Sequence, residues 1–283
     1  MVHLTLVTGT TTMLGRHLIR LLDEQGARVF AGTPSGQALG RTPGRPIDFL
    51  RGDRLLDAFG GIHTLFLHVP WIRGRVDLAR NALVAARVSG VRFIVLSSCY
   101  GADPQSSFTF MRLQGEIDAI VQDSGIPVAI IRPNAMMQNY IHAYADMLRD
   151  GALLLPHGQS ATACIDALDV ARAIATIIRD PEAHAGAVYD LTGPQALTHG
   201  NAVELVGAAV GRMIDYIPIE RDAASRAMLA AGADPWFVDQ LDSLNAFIAR
   251  DQAANVTPTF EALVGYRPNW FASFVTEHAT AWA

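Results

Sequence analysis

In the first half of this chain, short apolar runs alternate regularly with segments of helical period. Residues 3–7 (HLTLV) run into Thr8-Gly9, after which Leu14, Leu18, Leu21 and Leu22 recur at i, i+4, i+7 and i+8 until Gly26. Residues 28–31 (RVFA) read as the next strand. Strand, glycine-bearing turn, helix and strand make a βαβ unit, the building block of parallel sheets. The alternation predicts further strands at 47–50 (IDFL), 63–69 (HTLFLHV), 91–96 (VRFIVL) and 127–132 (PVAIIR), with helices at 75–88 and 108–124. The expected fold is α/β: a Rossmann-type, doubly wound parallel sheet.

After residue 134 the rhythm breaks. Helices are expected at 136–149, 169–179, 198–210, 222–232, 235–250 and 270–281, and a seventh strand at 187–191. Residues 1–155 are expected to form the core, with 165–192 returning to it. Residues 193–283 are expected to form a small, mainly helical lobe that closes over a substrate.

Composition narrows the chemistry. All 22 basic residues are arginine. A chain without lysine has no amine for a Schiff base, a P-loop or a Tyr-x-x-x-Lys reductase pair. Arginine does not deprotonate in proteins and cannot serve as the base. A net charge of −5 argues against a nucleic-acid partner. Cys99 and Cys164 lie far apart in apolar surroundings and read as reduced core thiols. No apolar run reaches the roughly 20 residues of a membrane helix, and the N-terminus shows no cleavage pattern. The expectation is a cytoplasmic protein with no membrane partner. A homodimer is the default for such an enzyme.

The turn TGTTTMLG, Thr8 to Gly15, occupies the place where a dinucleotide's pyrophosphate meets the N–H groups of a helix N-terminus. Gly9 makes the tight turn, and Gly15 lets helix and strand pack closely. Thr12 stands where the middle glycine of such a turn is expected. Its hydroxyl can contact a phosphate oxygen, or its methyl can block the pyrophosphate. The end of the second strand, AGTPSG at 31–36, holds neither the acid that favours NAD nor the arginine that favours NADP. Thr33 and Ser35 can reach a phosphate or ribose hydroxyl, or simply form the turn. Arg41 and Arg45 are either partners of a 2′-phosphate or solvated loop charges.

Several further segments carry a family resemblance: RGD at 51–53, GVRFIVLSS at 90–98, GADP at 101–104, SGIPVAIIRPNAMMQN at 124–139, IDALDVARAIA at 165–175, VYDLTGPQALTH at 188–199, AAGADPWFVDQL at 230–241 and GYRPNWFASFVTEH at 265–278. With the glycine turn, they make the chain resemble the NmrA-like branch of the atypical short-chain dehydrogenase/reductases, which includes triphenylmethane dye reductases and NADPH-quinone reductases. The resemblance covers nearly the whole chain. It implies NAD or NADP across the carboxyl edge of the sheet. Gly9, Thr11, Met13, Leu14 and Gly15 would meet the pyrophosphate. Asp53 and Arg54 would lie near the adenine, His68, Val69 and Pro70 on the adenosine side, and Ser97 on the nicotinamide side. Asn134, Ala135, Met136 and Met137 would border the nicotinamide and substrate. The departures are Thr12, and Phe110-Met-Arg-Leu-Gln114 where a catalytic Tyr-x-x-x-Lys would fall. Phenylalanine has no proton to give, and glutamine does not titrate.

Weighed singly, Tyr100 is a candidate proton donor or a packed aromatic. Ser98 is a candidate catalytic serine or a capping hydroxyl. Gln114 can bond a substrate carbonyl or lie on a helix surface. Met136, Met137 and Tyr140, with Tyr144 at helical spacing, form an apolar stripe that reads as core or as a pocket wall. Trp236 and Phe237 can close the other side. Asp169 is expected to N-cap a helix at 170–179. His142, His157, His184 and His199 lack metal-site spacing, so no metal is expected.

Three functions remain open. The first is an NAD(P)H-dependent reductase passing hydride to an apolar, electron-poor small molecule such as a quinone, an iminium or a conjugated ketone. The second is a cyclase, isomerase or lyase of secondary metabolism on the same fold with a degenerate cofactor site. The third is a non-catalytic dinucleotide sensor.

Overall fold

The computed structural model describes residues 3–283. The chain runs through β1 (Leu4–Val7), α1 (Met13–Glu24), β2 (Arg28–Thr33), β3 (Gly44–Pro46), α2 (Gly52–Phe59), β4 (Thr64–Leu67), α3 (Arg75–Val88), β5 (Phe93–Ser97), α4 (Thr109–Gln122) and β6 (Val128–Pro133). It continues through α5 (Ala145–Arg149), β7 (Ala152–Leu155), β8 (Ala161–Thr162), α6 (Ala167–Arg179), β9 (Val188–Leu191), β10 (Leu197–Thr198), α7 (His199–Val210) and β11 (Asp215–Pro218). The last elements are α8 (Arg221–Ala230), α9 (Pro235–Ile248), α10 (Thr259–Val264) and α11 (Phe271–Glu277).

Seven strands form one sheet in the order β3-β2-β1-β4-β5-β6-β9. Every pairing from β3 to β6 is parallel, with Leu6 opposite Phe30 and Leu65, Leu65 opposite Ile94, and Ile94 opposite Val128. One face of the sheet builds a core from Leu6, Leu65, Leu67, Ile94, Leu96, Val128 and Ile130. Leu55 and Phe59 of α2, Leu78, Ala82 and Leu83 of α3, and Ile117 and Val121 of α4 pack against them. The alternate strand residues Val7, Phe66, Val95 and Ile131 point to the other face and are equally buried. Continuous apolar strands are what a sheet covered on both faces requires. The strand order reverses between β1 and β4, and in open α/β sheets ligands bind at the carboxyl ends of the strands at that point.

The chain divides into two compact units. The first takes residues up to Gln105, Leu113–Arg132 and Val170–Tyr189; the second takes Ser106–Arg112, Pro133–Asp169 and Asp190–Ala283. This differs from the expected partition at 155 and 193. Met137, Tyr140, Leu148 and Leu153 share a core with Val203 and Val206 of α7, Phe271, Phe274 and Val275 of α11, and Trp282. Trp282 is fully buried and donates its indole N–H to the Tyr140 carbonyl at 2.7 Å. Two small sheets complete this second unit: β10 antiparallel to β8, and β11 parallel to β7.

Most expected elements fall within a few residues of the observed ones. The third strand is a correction. It lies at Gly44–Pro46 rather than 47–50. Pairing stops after the Ile47 N–H reaches the Thr33 carbonyl at 2.9 Å, because the Asp48 carboxylate then accepts the Leu50 N–H at 3.0 Å and turns the chain. The helix expected at 136–149 is broken into a 3-10 turn at Met137–Ile141 and the short α5. Helix α6 begins before 170, so Asp169 lies in its first turn and not at its N-cap. There Asp169 accepts the Asn269 N–H, while Asp166 accepts the Leu168 N–H and the Gln138 amide.

Candidate functional site

The carboxyl ends of β1, β4 and β5 carry most of the residues expected to meet a dinucleotide. Gly9 follows β1 with φ +68°, a left-handed conformation that favours glycine. A side chain on Gly9 would meet His68, its Cβ lying 2.7 Å from the imidazole carbon Cδ2. A Cβ on Gly15 would lie 2.8 Å from the Gly9 carbonyl carbon and 2.9 Å from Thr10 Cα. Both glycines are therefore required by close packing of the turn.

Thr12 is the N-cap of α1, with φ −84° and ψ 159°, an extended conformation open to any residue. Its hydroxyl donates to the Gly9 carbonyl at 2.8 Å and accepts the Gly15 N–H at 3.1 Å. Both hydrogen bonds are internal to the turn, so neither of the two expected roles for this hydroxyl and methyl is needed to explain the residue. The first two N–H groups of α1, on Met13 and Leu14, have no intrahelical acceptor. No acid stands in that first turn. Such a helix start fits an anionic phosphate, so the residues present suit a dinucleotide. Thr11 lies exposed in the same turn.

Beside this turn, the His68 imidazole bonds the Ser97 hydroxyl through Nδ1 at 3.2 Å. Burial, helped by the charge of Arg75, pushes His68 down to about 4. A neutral ring therefore lines the switch point at physiological pH. Val69 is buried and Pro70 half-buried in the loop that follows β4.

The remaining expected contacts are engaged elsewhere. Thr33 donates its hydroxyl to the Gln37 carbonyl at 3.1 Å, and Ser35 accepts the Gln37 N–H at 3.4 Å; both hold the turn after β2. Arg45 is neither a solvated charge nor a free phosphate partner. It donates to the Ala58 and Gly60 carbonyls at 2.7 Å each and lies over the Phe30 ring at 4.1 Å. Asp53 forms an exposed ion pair with Arg51 at 3.0 Å.

A buried polar network, not anticipated from sequence, runs from α3 to β6. Arg75 donates to the Gln114 amide oxygen at 2.8 Å, and the Gln114 amide nitrogen donates to Asp118 Oδ1 at 3.3 Å. Asp118 Oδ2 accepts from the Ser98 hydroxyl and from Arg132 Nε, each at 2.9 Å. Burial pushes the Asp118 carboxyl up, and these donors pull it back. Gln114 is a buried bridge with both ends of its amide occupied, not a surface residue. Ser98 is tied down through the same carboxylate. Tyr100 is half-buried in the turn after β5.

The second unit holds the residues expected around a substrate. Phe110 is half-buried, and its N–H donates to Ser243 Oγ at 3.1 Å. Asn134 uses its side chain on the Ala253 carbonyl and the Ala135 N–H, both at 2.8 Å. Met136 is half-buried, and Trp236 and Phe237 are half-buried in the first turn of α9. Met137 and Tyr140 line a small cavity with Thr162, Cys164, Gln195, Leu197, Ala202 and Phe271.

From Tyr140 a buried chain of hydrogen bonds leads inward. Its hydroxyl meets His199 Nδ1 at 2.7 Å, His199 Nε2 meets His157 Nδ1 at 2.8 Å, and His157 Nε2 meets the Asn245 amide oxygen at 3.0 Å. An amide oxygen only accepts, so His157 donates from Nε2; with both rings neutral, His199 then donates from Nε2 and Tyr140 from its hydroxyl. Burial pushes His199 down to about 3 and lowers His157 as well.

Residues 1–233 match the NmrA-like family. The chain belongs to that family. An NAD(P)H azoreductase of Xenophilus azovorans is 30% identical to this NmrA-like protein over 282 residues, 98% of each chain. The NADPH complex of a quinone oxidoreductase of Escherichia coli superposes with a TM-score of 0.85 at 25% identity, over 96% of this chain and 99% of that one. A Citrobacter triphenylmethane reductase complexed with NADP(H) shares the fold, with a TM-score of 0.83 at 19% identity over 97% and 99% of the two chains.

Proposed function

We propose that this protein is an NAD(P)H-dependent reductase that passes hydride to an apolar, electron-poor small molecule. The observation that carries the reading is the β1–α1 turn at the switch point. Its glycines are required by packing, its helix start offers two N–H groups with no intrahelical acceptor, and the neutral His68 stands beside it. The full-length similarity to an NAD(P)H azoreductase supports the same reading.

When bound, the reduced nicotinamide supplies the hydride. Gly9, Thr11, Met13, Leu14 and Gly15 would hold the pyrophosphate by backbone contact. His68, oriented by Ser97, would line the dinucleotide without adding charge. Phe110 and Gln114 offer no proton, so the acceptor must be one that tolerates the charge hydride leaves on it. The protein's share of the work is orientation and exclusion of water. Tyr100 and water are the remaining proton sources.

Calorimetric titration with NADPH and NADH tests the first half of this reading, and acceptor-dependent oxidation of either cofactor tests the second. Saturable binding with turnover is the expected result. Tight binding without turnover on a panel of quinones, azo compounds and conjugated ketones would identify a sensor. No binding by the wild type or by Thr12→Gly would refute the reading.

A further inference from the structure

The network around Arg75 holds a charge that the fold does not balance. Arg132 pairs directly with Asp118 at 2.9 Å. Arg75 makes no hydrogen bond to that carboxylate: it bonds the neutral Gln114, and Cys99 and Asp118 act on it only through space. Two guanidinium groups thus face one carboxylate. Arg75 is only 7% exposed, and its Nε has no acceptor among the described residues.

Its position adds to the cost. Arg75 is the first residue of α3, the end of a helix that favours anions. The acid of that turn, Asp77, is exposed and paired with Arg80 at 2.8 Å. An uncompensated buried cation is strongly unfavourable, yet arginine keeps its charge.

The surplus charge lies at the carboxyl ends of two central strands. Ser98, which anchors Asp118, directly follows β5. His68, whose imidazole is held neutral partly by Arg75, directly follows β4. Gln114 occupies the helix position where a Tyr-x-x-x-Lys pair would keep its lysine. Here the cation arrives from α3 and docks on that glutamine.

We propose that Arg75, docked on Gln114, sets the substrate class of this reductase: acceptors that enter neutral and leave hydride addition as anions, in preference to acceptors that enter as cations. The inference rests on the reductase reading above. A neutral quinone, azo compound or conjugated ketone that takes up hydride gains one proton and two electrons. It then carries one negative charge on oxygen, nitrogen or carbon until water supplies a proton. A cationic iminium or triarylmethyl dye takes up the same hydride and becomes neutral. A fixed positive charge in a dry site lowers the first barrier and raises the second.

The test compares kcat/KM for a neutral quinone and a cationic triarylmethane dye at saturating NADPH, with NADPH affinity and Tm measured separately. The wild type is expected to prefer the quinone. Arg75→Met is expected to lower the quinone-to-dye ratio by about tenfold, the scale of one unit charge near a protein site. Arg75→Lys should keep the ratio. Gln114→Lys in the Arg75→Met background should restore it by returning a cation to the same place. If Arg75→Met does not fold, Arg75→Gln keeps a donor for the Gln114 amide oxygen, removes the charge and should lower the ratio equally. Equal losses on both substrates, or a wild type that prefers the dye, would overturn the proposal while leaving the reductase reading intact. A wild type that binds no dinucleotide, or reduces neither acceptor, would remove that reading and this inference with it.

Discussion

Acidification offers a quantitative test of the two buried imidazole sites. His68 is pushed down to about 4 and His199 to about 3, from an ordinary value of 6.5. Both folded values lie below pH 5, so at that pH the unfolded chain binds two protons that the folded chain refuses. Each site then costs about 1.36 kcal/mol for each of the roughly 1.5 pH units below 6.5, or about 2 kcal/mol. Together they remove about 4 kcal/mol of the roughly 5–15 kcal/mol that holds a typical protein folded. The loss begins as pH falls through 6.5 and stops growing near 3 to 4, where the folded sites also protonate. Asp118 works in the opposite direction: its raised carboxyl favours the folded state as pH falls toward the ordinary carboxylate value. Urea denaturation at pH 7.5 and pH 5.0 reads the difference. His68→Asn and His199→Gln should each reduce the pH-dependent loss by about 2 kcal/mol, whatever they do to stability at pH 7.5. Variants that lose as much as the wild type between the two pH values would show that these imidazoles are not held neutral.

Other substitutions probe the turn and the second core. Gly15→Ala places a methyl within 2.9 Å of backbone atoms of Gly9 and Thr10. It should destabilise the fold by about 1–3 kcal/mol and weaken NADPH binding at least tenfold by calorimetry. Thr12→Val should lower stability by about 1 kcal/mol by removing the N-cap, whereas Thr12→Gly should cost only a few tenths; thermal denaturation separates the two. Trp282→Ala removes a fully buried ring and the hydrogen bond to Tyr140. It should cost about 3–5 kcal/mol, visible as a large drop in the denaturation midpoint.

The sheet was legible because each central strand declares itself twice, by an apolar run such as VRFIVL and by the turn chemistry after it. The segment around Pro46 was not, because its apolar residues Ile47 and Phe49 are buried just beyond the strand rather than in it. The glycine turn could be read residue by residue, since Gly9 and Gly15 act through backbone geometry that sequence spacing preserves. The role of Thr12 could not, because a hydroxyl facing a phosphate and a hydroxyl capping its own helix have the same sequence. Gln114 stayed open between a substrate contact and a helix surface because its donor, Arg75, lies on a different helix, although Asp118 lies one turn along on α4. The chain from Tyr140 to Asn245 was invisible for the same reason. Its four residues come from four separate stretches, and no local period links them.

The division of the chain also bears on how proteins of this kind acquire new substrates. The backbone passes between the two units five times, at 105/106, 112/113, 132/133, 169/170 and 189/190, and one of these passages falls inside α4. No single stretch of gene encodes either unit. Neither unit can therefore be exchanged between relatives as a single cassette: a crossover at 105/106 or 189/190 mixes one unit, and a crossover at any of the other three junctions mixes both. A designer who wants one unit from a relative must therefore move several separate segments together, or change single residues within an intact frame.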